Sequence, residues 1–368
     1  MDRTLSCFFA LLRAGLWGHP IDVSLFENFT DWQEIQRLAR AQTVVGVVLE
    51  GISSLPQNMR PVKSEYMQWL SLVMQIENAN DMLNDGVTEV YSMFRKAGFE
   101  GVLLKGQGIA QYYREPRHRQ PGDIDLYFGE ENYQTTTKFI EDSGFALEME
   151  TSYHSSFKYG EIEVENHRVF VDFYNNKNKK KLRIWQGRQD EYTNAAFVHK
   201  GITVPTLSHQ TNAVYIFLHL LHHFLQVGIG LRQVCDWAVY LTVNQKYIDS
   251  KQFAADLEYL PIKRAATAFA CLCVNYLGMN AEMFPFPVDT TQARKDGEWL
   301  VRDVIVAGNF GDDILQHFKT KHKWERIKAY YKAVKRHLSV YRLCPSEVRA
   351  YPLKWLKSKI KKEEFYEH

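Results

Sequence analysis

Apolar side chains recur every three to four residues through the first part of the chain, a spacing that is typical of amphipathic helices. The positions that follow this period include Leu5, Phe8, Phe9, Leu12, Trp69, Leu70, Val73, Ile76 and Phe94. Pro56 and Pro61 break the pattern into separate helices, and Ala97-Gly98 is a common helix end. We therefore predict a helical region over residues 1–96.

After Gly98 the apolar residues form the short runs that are typical of strands. The elements predicted from the pattern are a strand at 102–104, a short helix at 108–113, a strand at 124–128, an amphipathic helix at 131–143, and strands at 162–165 and 169–173. Gly101 and Gly122 precede the first two strands, and Gly144 closes the longer helix. This alternation predicts a small α/β or α+β core over residues 97–205.

Helical periodicity returns after Pro205. Val214, Phe217 and Leu221 share one face of a helix, and a glycine-rich break at 228–230 separates it from the next one. Further helices are predicted at about 250–278, 294–307 and 321–341. Residues 206–368 therefore form a second helical region, and the chain divides into three parts.

The composition is that of an ordinary globular protein. The chain has 368 residues, of which 45% are hydrophobic and 24% are charged, which excludes a disordered or collagen-like chain. No stretch reaches the roughly 18 uncharged apolar residues of a membrane span, and Arg13 ends the first apolar run too early for a secretory signal. Five scattered cysteines match neither a disulfide framework nor a zinc site. We expect a soluble, cytoplasmic protein that makes no membrane contact.

Charge is unevenly distributed, although the net charge is only +2. Residues 319–368 carry 15 Lys/Arg and 5 Asp/Glu. This basic tail fits a phosphate-rich partner such as tRNA or a nucleotide, but the favoured interpretation is a solvated helix with a buried stripe that includes Trp324, Val334 and Leu338. A second basic cluster, Lys177–Arg183, is expected to be an exposed turn.

Two carboxylates stand at the start of the second predicted strand. Asp123 and Asp125 are two residues apart, so their side chains point to the same face, while Ile124 and Leu126 point to the opposite one. Adjacent anions are unfavourable unless a cation or a proton compensates them. Mg²⁺ prefers carboxylate oxygens together with substrate phosphates. The pair therefore indicates a magnesium site.

The residues around this pair are of the kinds that bind phosphate. Gly106 lies between a strand and a helix with Lys105 beside it, an arrangement that lets backbone N–H groups approach a phosphate. Arg119, four residues before Asp123, has a planar cation that can grip phosphate oxygens in a bidentate manner. A phosphate site and a metal site are thus predicted at one end of one sheet.

Together these residues resemble the nucleotidyltransferase superfamily of DNA polymerase beta, and more narrowly a bacterial family described as uncharacterised nucleotidyltransferases. The resemblance is carried by Lys105-Gly106, Arg119 and the GDIDL run at 122–126. It continues in Glu165-Asn166-His167 and in the segments 220–223 and 230–237, and it covers roughly residues 35–350.

The resemblance implies an α+β fold, in which a small mixed β-sheet with flanking helices is joined to N-terminal and C-terminal helical regions. It implies that Asp123, Asp125 and Glu165 are the catalytic and metal-binding carboxylates, which hold Mg²⁺ or Mn²⁺ in a two-metal reaction. Glu163, on the same strand face, and Asp172, on the following strand, are the alternatives for Glu165.

It also implies that Lys105, Gly106 and Arg119 hold the triphosphate of a nucleoside triphosphate, and that Arg232 lines the nucleotide cleft. From the residues alone, Arg232 and Asp236 could simply pair along one helix, four residues apart. His219 and His222 also share a helix face. A histidine that faces the cleft is favoured there over a metal site, because no third ligand stands at protease spacing.

The activity implied is transfer of a nucleoside monophosphate to an unknown hydroxyl acceptor, which could be a small molecule, tRNA or protein. The long spacer before Asp123 also resembles abortive-infection toxin nucleotidyltransferases, which favours tRNA or protein. Gln107 follows Gly106 where superfamily members commonly have serine. This difference motivates one alternative, a catalytically inactive nucleotide-binding regulator. A phosphotransferase that uses the same carboxylates is another.

Overall fold

The computed structural model describes residues 2–151, 153–189, 195–226, 228–308 and 323–352. Its helices are α1 (Arg3–Trp17), α2 (Trp32–Ala41), α3 (Val45–Ser54), α4 (Lys63–Lys96), α5 (Gln107–Ala110), α6 (Tyr133–Asp142), α7 (Asn176–Gln186), α8 (His209–Gln226), α9 (Leu231–Asn244), α10 (Ser250–Tyr259), α11 (Lys263–Asn275), α12 (Thr291–Ala307) and α13 (Lys323–Val340). Among the described residues, none of these helices combines the length and the apolarity that a bilayer crossing requires.

The strands form one five-stranded mixed sheet and a separate hairpin. They are β1 (Val102–Leu103), β2 (Ile124–Tyr127), β3 (Leu147–Glu150), β4 (His154–Tyr159), β5 (Ile162–His167), β6 (Ala196–His199) and β7 (Ile202–Pro205). The sheet has the order β1-β2-β5-β4-β3, and β6 pairs with β7. Only β2 and β5 run parallel; the other neighbours are antiparallel.

Apolar side chains pack into two hydrophobic cores. The smaller core lies under one face of the sheet and includes Ile124, Leu126 and Val164. The larger core joins α1–α3 to α8–α12, so helices from both ends of the chain pack together. The 34-residue helix α4 contributes to both cores, with Trp69 in the larger one and Phe94 in the smaller one. Because the polar face of the sheet is turned away from the smaller core, it can line a cavity.

The α+β class with a small mixed sheet is confirmed. The helical periodicity of the first region corresponds to α1–α4, and the helical stretch near 250–278 is divided into two helices at Pro261. The division of the chain at residues 96 and 205 stays a prediction. The five cysteines are buried and free, as their spacing suggested.

Three local predictions are wrong. Val169–Phe173 is buried but lies outside every strand, because its side chains pack into the larger core instead of pairing with the sheet. The basic cluster after Asn175 is helical, since the Asn175 side chain accepts hydrogen bonds from two backbone N–H groups and begins α7. Trp324 and Leu338 on α13 are exposed, so the expected buried stripe does not form; much of the basic tail lies outside the described residues.

Four strands were missed: β3 and β4 in the sheet, and β6 and β7 in the hairpin. β3 and β4, at the edge of the sheet, are rich in polar residues, with sequences LEME and HSSFKY. Their alternation is weak because β4 is buried on both faces along His154–Phe157. Pairing with β5 makes these polar residues part of the sheet and brings His154 opposite His167.

Candidate active site

A cavity of about 230 Å³ lies between the polar face of the sheet and helices α8 and α9. The sheet side contributes Asp123, Glu163, Glu165 and His167, and the loop after β1 contributes Lys105. The sequence-predicted residues Gly106, Arg119 and Arg232 also line it. Residues from three separate parts of the chain therefore meet around one space.

The strand register brings two carboxylates side by side. β2 and β5 run parallel, and Asp125 on β2 stands directly opposite Glu165 on β5. Ile124 and Val164 are likewise paired and fill the smaller core on the other face. Asp125 is fully buried, whereas Asp123, just before β2, has a side chain that is 32% exposed. We call Asp123, Asp125 and Glu165 the carboxylate cluster.

His167 links two members of the carboxylate cluster. Its Nε2 lies 2.9 Å from Asp125 Oδ1 and 2.9 Å from Glu165 Oε2. Burial opposes protonation of His167, but these two hydrogen bonds prevail and raise the pKa of its imidazole to about 9. Burial similarly opposes ionisation of Glu165, yet the hydrogen bond from His167 lowers the pKa of its carboxyl. His154, on the neighbouring strand, lies 3.9 Å from Glu165.

Lys105 supplies a second positive charge. Its Nζ lies 3.1 Å from Asp125 Oδ1 and 3.4 Å from Asp123 Oδ2. Although burial opposes its charge, the carboxylate cluster raises the pKa of Lys105 well above its usual value. Three carboxylates therefore face two cations, Lys105 and His167, which leaves the site with an excess of negative charge.

The donor atoms of Asp125, Glu165 and His167 lie within 4.8 Å of one another, close enough to share one metal ion. Asp123 is beside this group but does not belong to it. Asp125 Oδ2 is buried and has no hydrogen-bond partner among the described residues. An unpartnered buried carboxylate oxygen next to an excess of negative charge fits a divalent cation.

The two alternatives for the third carboxylate occupy different places. Glu163 lines the cavity from β5, two residues before Glu165, but it lies outside the group formed by Asp125, Glu165 and His167. Asp172 is buried, and its Oδ2 accepts a hydrogen bond from Lys179 Nζ at 2.9 Å. It is absent from the lining of the cavity, because its segment leaves the sheet.

Gly106 makes the sharp turn between β1 and α5. Its φ of +57° is a conformation that glycine adopts readily, and a Cβ there would lie 3.2 Å from the carbonyl oxygen of Asp123. The next side chain, Gln107, is buried and points to α4, where its Nε2 donates to Asn80 and Asn84. Gln107, which stands where the resemblance led us to expect a serine, therefore faces away from the cavity.

Arg119 forms a closed ion pair. Its Nε and Nη2 each lie 2.8 Å from one carboxylate oxygen of Asp236 on α9, and the hydroxyl of Tyr113 donates to the same carboxylate at 2.6 Å. Both charged side chains are almost fully buried. Arg119 lines the cavity, but its Nε and Nη2 donate to Asp236, and its Nη1 donates to the backbone oxygen of Gln120.

Arg232 holds the loop that precedes the carboxylate cluster. Its Nη1 donates to the backbone oxygens of Gln120 and Pro121, both at 3.1 Å, rather than to Asp236 as their spacing allowed. From α4, the Nδ2 atom of Asn80 donates to the backbone oxygens of Arg117 and Arg119. Asn80 had no sequence signal, since a lone polar residue inside a helix looks like any surface residue.

Helix α8 forms the wall opposite the sheet. The Nε2 atoms of His219 and His223 lie 3.0 Å apart, and Nδ1 of His222 lies 3.0 Å from the backbone oxygen of Asp172. Within the described ranges, the cluster of Asp125, Glu165 and His167 is the only group of three potential metal ligands. The helix therefore places histidines at the cleft, as favoured from the sequence.

A family model described as uncharacterised nucleotidyltransferase matches residues 28–278. No curated protein and no solved structure matches the chain. The matched range contains the whole sheet, the carboxylate cluster and the helices that close the cavity. Because the match extends over more than half of the chain, this protein belongs to the uncharacterised nucleotidyltransferase family.

Proposed function

We propose that the protein is a Mg²⁺- or Mn²⁺-dependent nucleotidyltransferase that moves a nucleoside monophosphate from a nucleoside triphosphate to a hydroxyl acceptor. The observation that carries the proposal is the convergence of Glu165, His167 and Lys105 on Asp125, whose Oδ2 has no partner among the described residues, beside one cavity. With Asp123, three carboxylates outnumber the two cations, and buried negative charge without a counter-charge is costly unless it binds a positively charged ligand.

The carboxylate cluster, Asp123, Asp125 and Glu165, would hold the metal, with His167 as a neighbour that could join when neutral. Two carboxylates and an imidazole suit Mn²⁺ as well as Mg²⁺, since hard oxygen donors dominate the set. When bound, the metal would polarise phosphate oxygens and acidify the acceptor hydroxyl.

The nucleotide end of the site would be formed by Lys105 and Gly106, with the triphosphate approaching the turn at Gly106. Lys105 is the best-placed cation for it, because its ammonium already faces two carboxylates at the cavity. Arg119 and Arg232 would act mainly by positioning the loop that carries Asp123, through Asp236 and the backbone respectively.

In the proposed reaction the acceptor oxygen forms a bond to the α-phosphorus, and the bond from that phosphorus to the bridging oxygen breaks. Pyrophosphate leaves with the electron pair of the broken bond. The acceptor proton passes to Glu165, whose carboxylate is ionised and hydrogen-bonded to His167. The products are the nucleotidylated acceptor and pyrophosphate, with one proton released to solvent.

The test is to incubate the protein with Mg²⁺ or Mn²⁺ and each nucleoside triphosphate, labelled at the α-phosphate, and to measure pyrophosphate and labelled product. Glu165→Gln should abolish the release of pyrophosphate. Asp172→Asn, which removes a buried carboxylate outside the cavity, should still release pyrophosphate. Nucleotide binding without release in the wild type would instead support a regulator. Release of nucleoside diphosphate would support a phosphotransferase.

A further inference from the structure

The α8 wall, formed by Tyr215, His219, His222 and His223, differs chemically from the sheet side of the cavity. The α8 sequence contains no Asp, Glu, Lys or Arg. The sheet side, in contrast, carries Asp123, Glu163, Glu165 and Lys105. The cavity therefore has one strongly charged side and one side whose polar groups are phenols and imidazoles.

Tyr215 has an unused hydroxyl at this wall. The side chain is fully buried and lines the cavity, and its hydroxyl oxygen has no hydrogen-bond partner among the described residues. Its ring is fixed by contacts with Phe170, at 5.4 Å between centroids, and with His219, at 6.2 Å. Burial raises the pKa of the phenol well above its usual value, so it stays a donor. A buried hydroxyl without a partner is a group that a ligand would satisfy.

A second hydroxyl repeats the pattern. Tyr153, just before β4, lines the same cavity, and its hydroxyl also has no hydrogen-bond partner in the part of the chain that the structure describes. Its ring packs edge-on against His154 and His222, with centroids 4.6 Å and 5.8 Å away. Two rigidly held phenols thus offer hydrogen bonds to whatever occupies the space.

Two imidazoles at this wall, those of His219 and His223, are uncharged. Burial lowers the pKa of both His219 and His223 well below the usual value, and their 3.0 Å contact needs one ring to donate and the other to accept. A phosphate, carboxylate or ammonium group placed here would lack a counter-charge on the wall. An apolar group would leave the phenols unsatisfied.

We infer that the α8 wall is the acceptor subsite and that it takes an uncharged, hydroxyl-rich group, of which a vicinal diol of a sugar is the simplest form. This inference rests on the proposed function and names its acceptor class. One hydroxyl of the diol would face Glu165 and react as described above, while Tyr215 would bind a neighbouring hydroxyl. The cavity of about 230 Å³ suits a single sugar ring rather than a folded protein segment.

The diol could belong to a free sugar or nucleoside, or to the 3′-terminal ribose of an RNA. Three probes separate these sources: D-ribose, adenosine, and a short RNA offered intact or after periodate oxidation of its terminal diol. Transfer of label from an α-labelled nucleoside triphosphate to the intact RNA alone would identify the RNA end. Transfer to adenosine or ribose would identify a small molecule. Transfer to a serine-containing peptide but to none of the diols would overturn the inference.

Tyr215→Phe removes the hydroxyl that the inference assigns to the neighbouring hydroxyl of the diol. Tyr240→Phe is the matched control, because Tyr240 is equally buried but its hydroxyl bonds to His209, outside the cavity lining. We expect Tyr215→Phe to lower transfer to the accepted diol about tenfold, chiefly by raising the KM for the diol. Tyr240→Phe should leave transfer unchanged. No loss of transfer in Tyr215→Phe, or an equal loss in both variants, would contradict the inference.

Direct binding keeps this test separate from that of the proposed function. If the wild type releases no pyrophosphate with any acceptor, the proposed function fails. The inference is then tested by the binding of D-ribose and adenosine to the protein, measured by saturation-transfer NMR. Wild type and Tyr240→Phe should bind at least one diol, and Tyr215→Phe should bind it about tenfold more weakly. Equal binding by all three proteins, or binding by none, would refute the subsite.

Discussion

Two buried ionic clusters border the same cavity, and they differ in how completely their atoms are paired. In the cluster formed by Arg119, Asp236 and Tyr113, both carboxylate oxygens of Asp236 accept strong hydrogen bonds. In the cluster around Asp125, three carboxylates share two cations, and one oxygen of Asp125 has no partner among the described residues.

The difference separates a cluster that we expect to be structural from one that we expect to bind a ligand. A buried ion pair whose two carboxylate oxygens are both hydrogen-bonded holds two elements together, here the loop before β2 and α9. A buried cluster with surplus charge and an unused oxygen carries an electrostatic cost that a ligand can relieve. Three measurements test this distinction, and a fourth tests a neighbouring ionic contact.

The largest effect is expected from Asp125→Asn. The amide oxygen can still accept from Lys105 and His167, so the free energy of unfolding should change by less than about 1 kcal/mol. Nucleotidyl transfer should fall on the order of 10⁴-fold, since metal stabilisation of transition-state charge is worth several kcal/mol and each 1.36 kcal/mol is tenfold. Rates from pyrophosphate release and denaturant unfolding of the same preparation check both parts. Transfer that persists would assign the metal to other residues.

Asp236→Ala should show the opposite pattern. Removing one partner of a buried pair leaves Arg119 as an unpaired buried cation, which we expect to lower the free energy of unfolding by about 3–4 kcal/mol. Tyr113→Phe removes only one hydrogen bond to the same carboxylate and should cost about 1 kcal/mol. Urea unfolding measures both variants. A decrease of less than about 1 kcal/mol in the free energy of unfolding of Asp236→Ala would show that the Arg119–Asp236 pair does not stabilise the fold.

Divalent cations should stabilise the folded protein by binding to the cluster around Asp125 and not to the Arg119–Asp236 pair. At Mg²⁺ or Mn²⁺ concentrations about a hundredfold above Kd, binding to the folded state adds about 2.7 kcal/mol to the free energy of unfolding. The increase should appear in the wild type and in Asp172→Asn and should vanish in Asp125→Asn. Unfolding curves with and without the metal test this expectation. An equal increase in Asp125→Asn would place the cation elsewhere.

The smallest effect concerns a third ionic contact, on the loop between the two clusters. His118 lies 3.0 Å from Glu50 and 3.3 Å from Glu77. Burial opposes its charge, but these carboxylates prevail and raise its pKa. The charged form of His118 is thus favoured by folding. Its contribution to the free energy of unfolding is complete below about pH 6.5 and is lost as the pH rises through the raised pKa.

His118→Gln should therefore cost about 1–2 kcal/mol near pH 5.5, the scale of a charge-assisted hydrogen bond, and much less near pH 9. The quantity to measure is the difference in free energy of unfolding between wild type and variant at each pH, because all other titrations cancel in it. A difference that grows towards alkaline pH would contradict the assignment.

The class of fold and the location of the candidate site were predictable from the sequence. Alternation around Asp123 and Asp125 identified a strand with one buried and one polar face, and Lys105-Gly106 identified the turn beside it, because both signals are local in the chain. Glu165 was identified only by resemblance, since Glu163 and Asp172 carry the same charge nearby. Its pairing with Asp125 is a matter of strand register.

Which polar groups pair with one another became visible only in the folded structure. Arg119 looked like a phosphate ligand until the fold brought Asp236, 117 residues away, against its guanidinium. Tyr215 looked like any aromatic residue on an apolar helix until packing buried its hydroxyl at the cavity without a partner. Local patterns report backbone conformation and burial, but hydrogen-bond pairing depends on contacts between distant segments, which no single stretch of sequence contains.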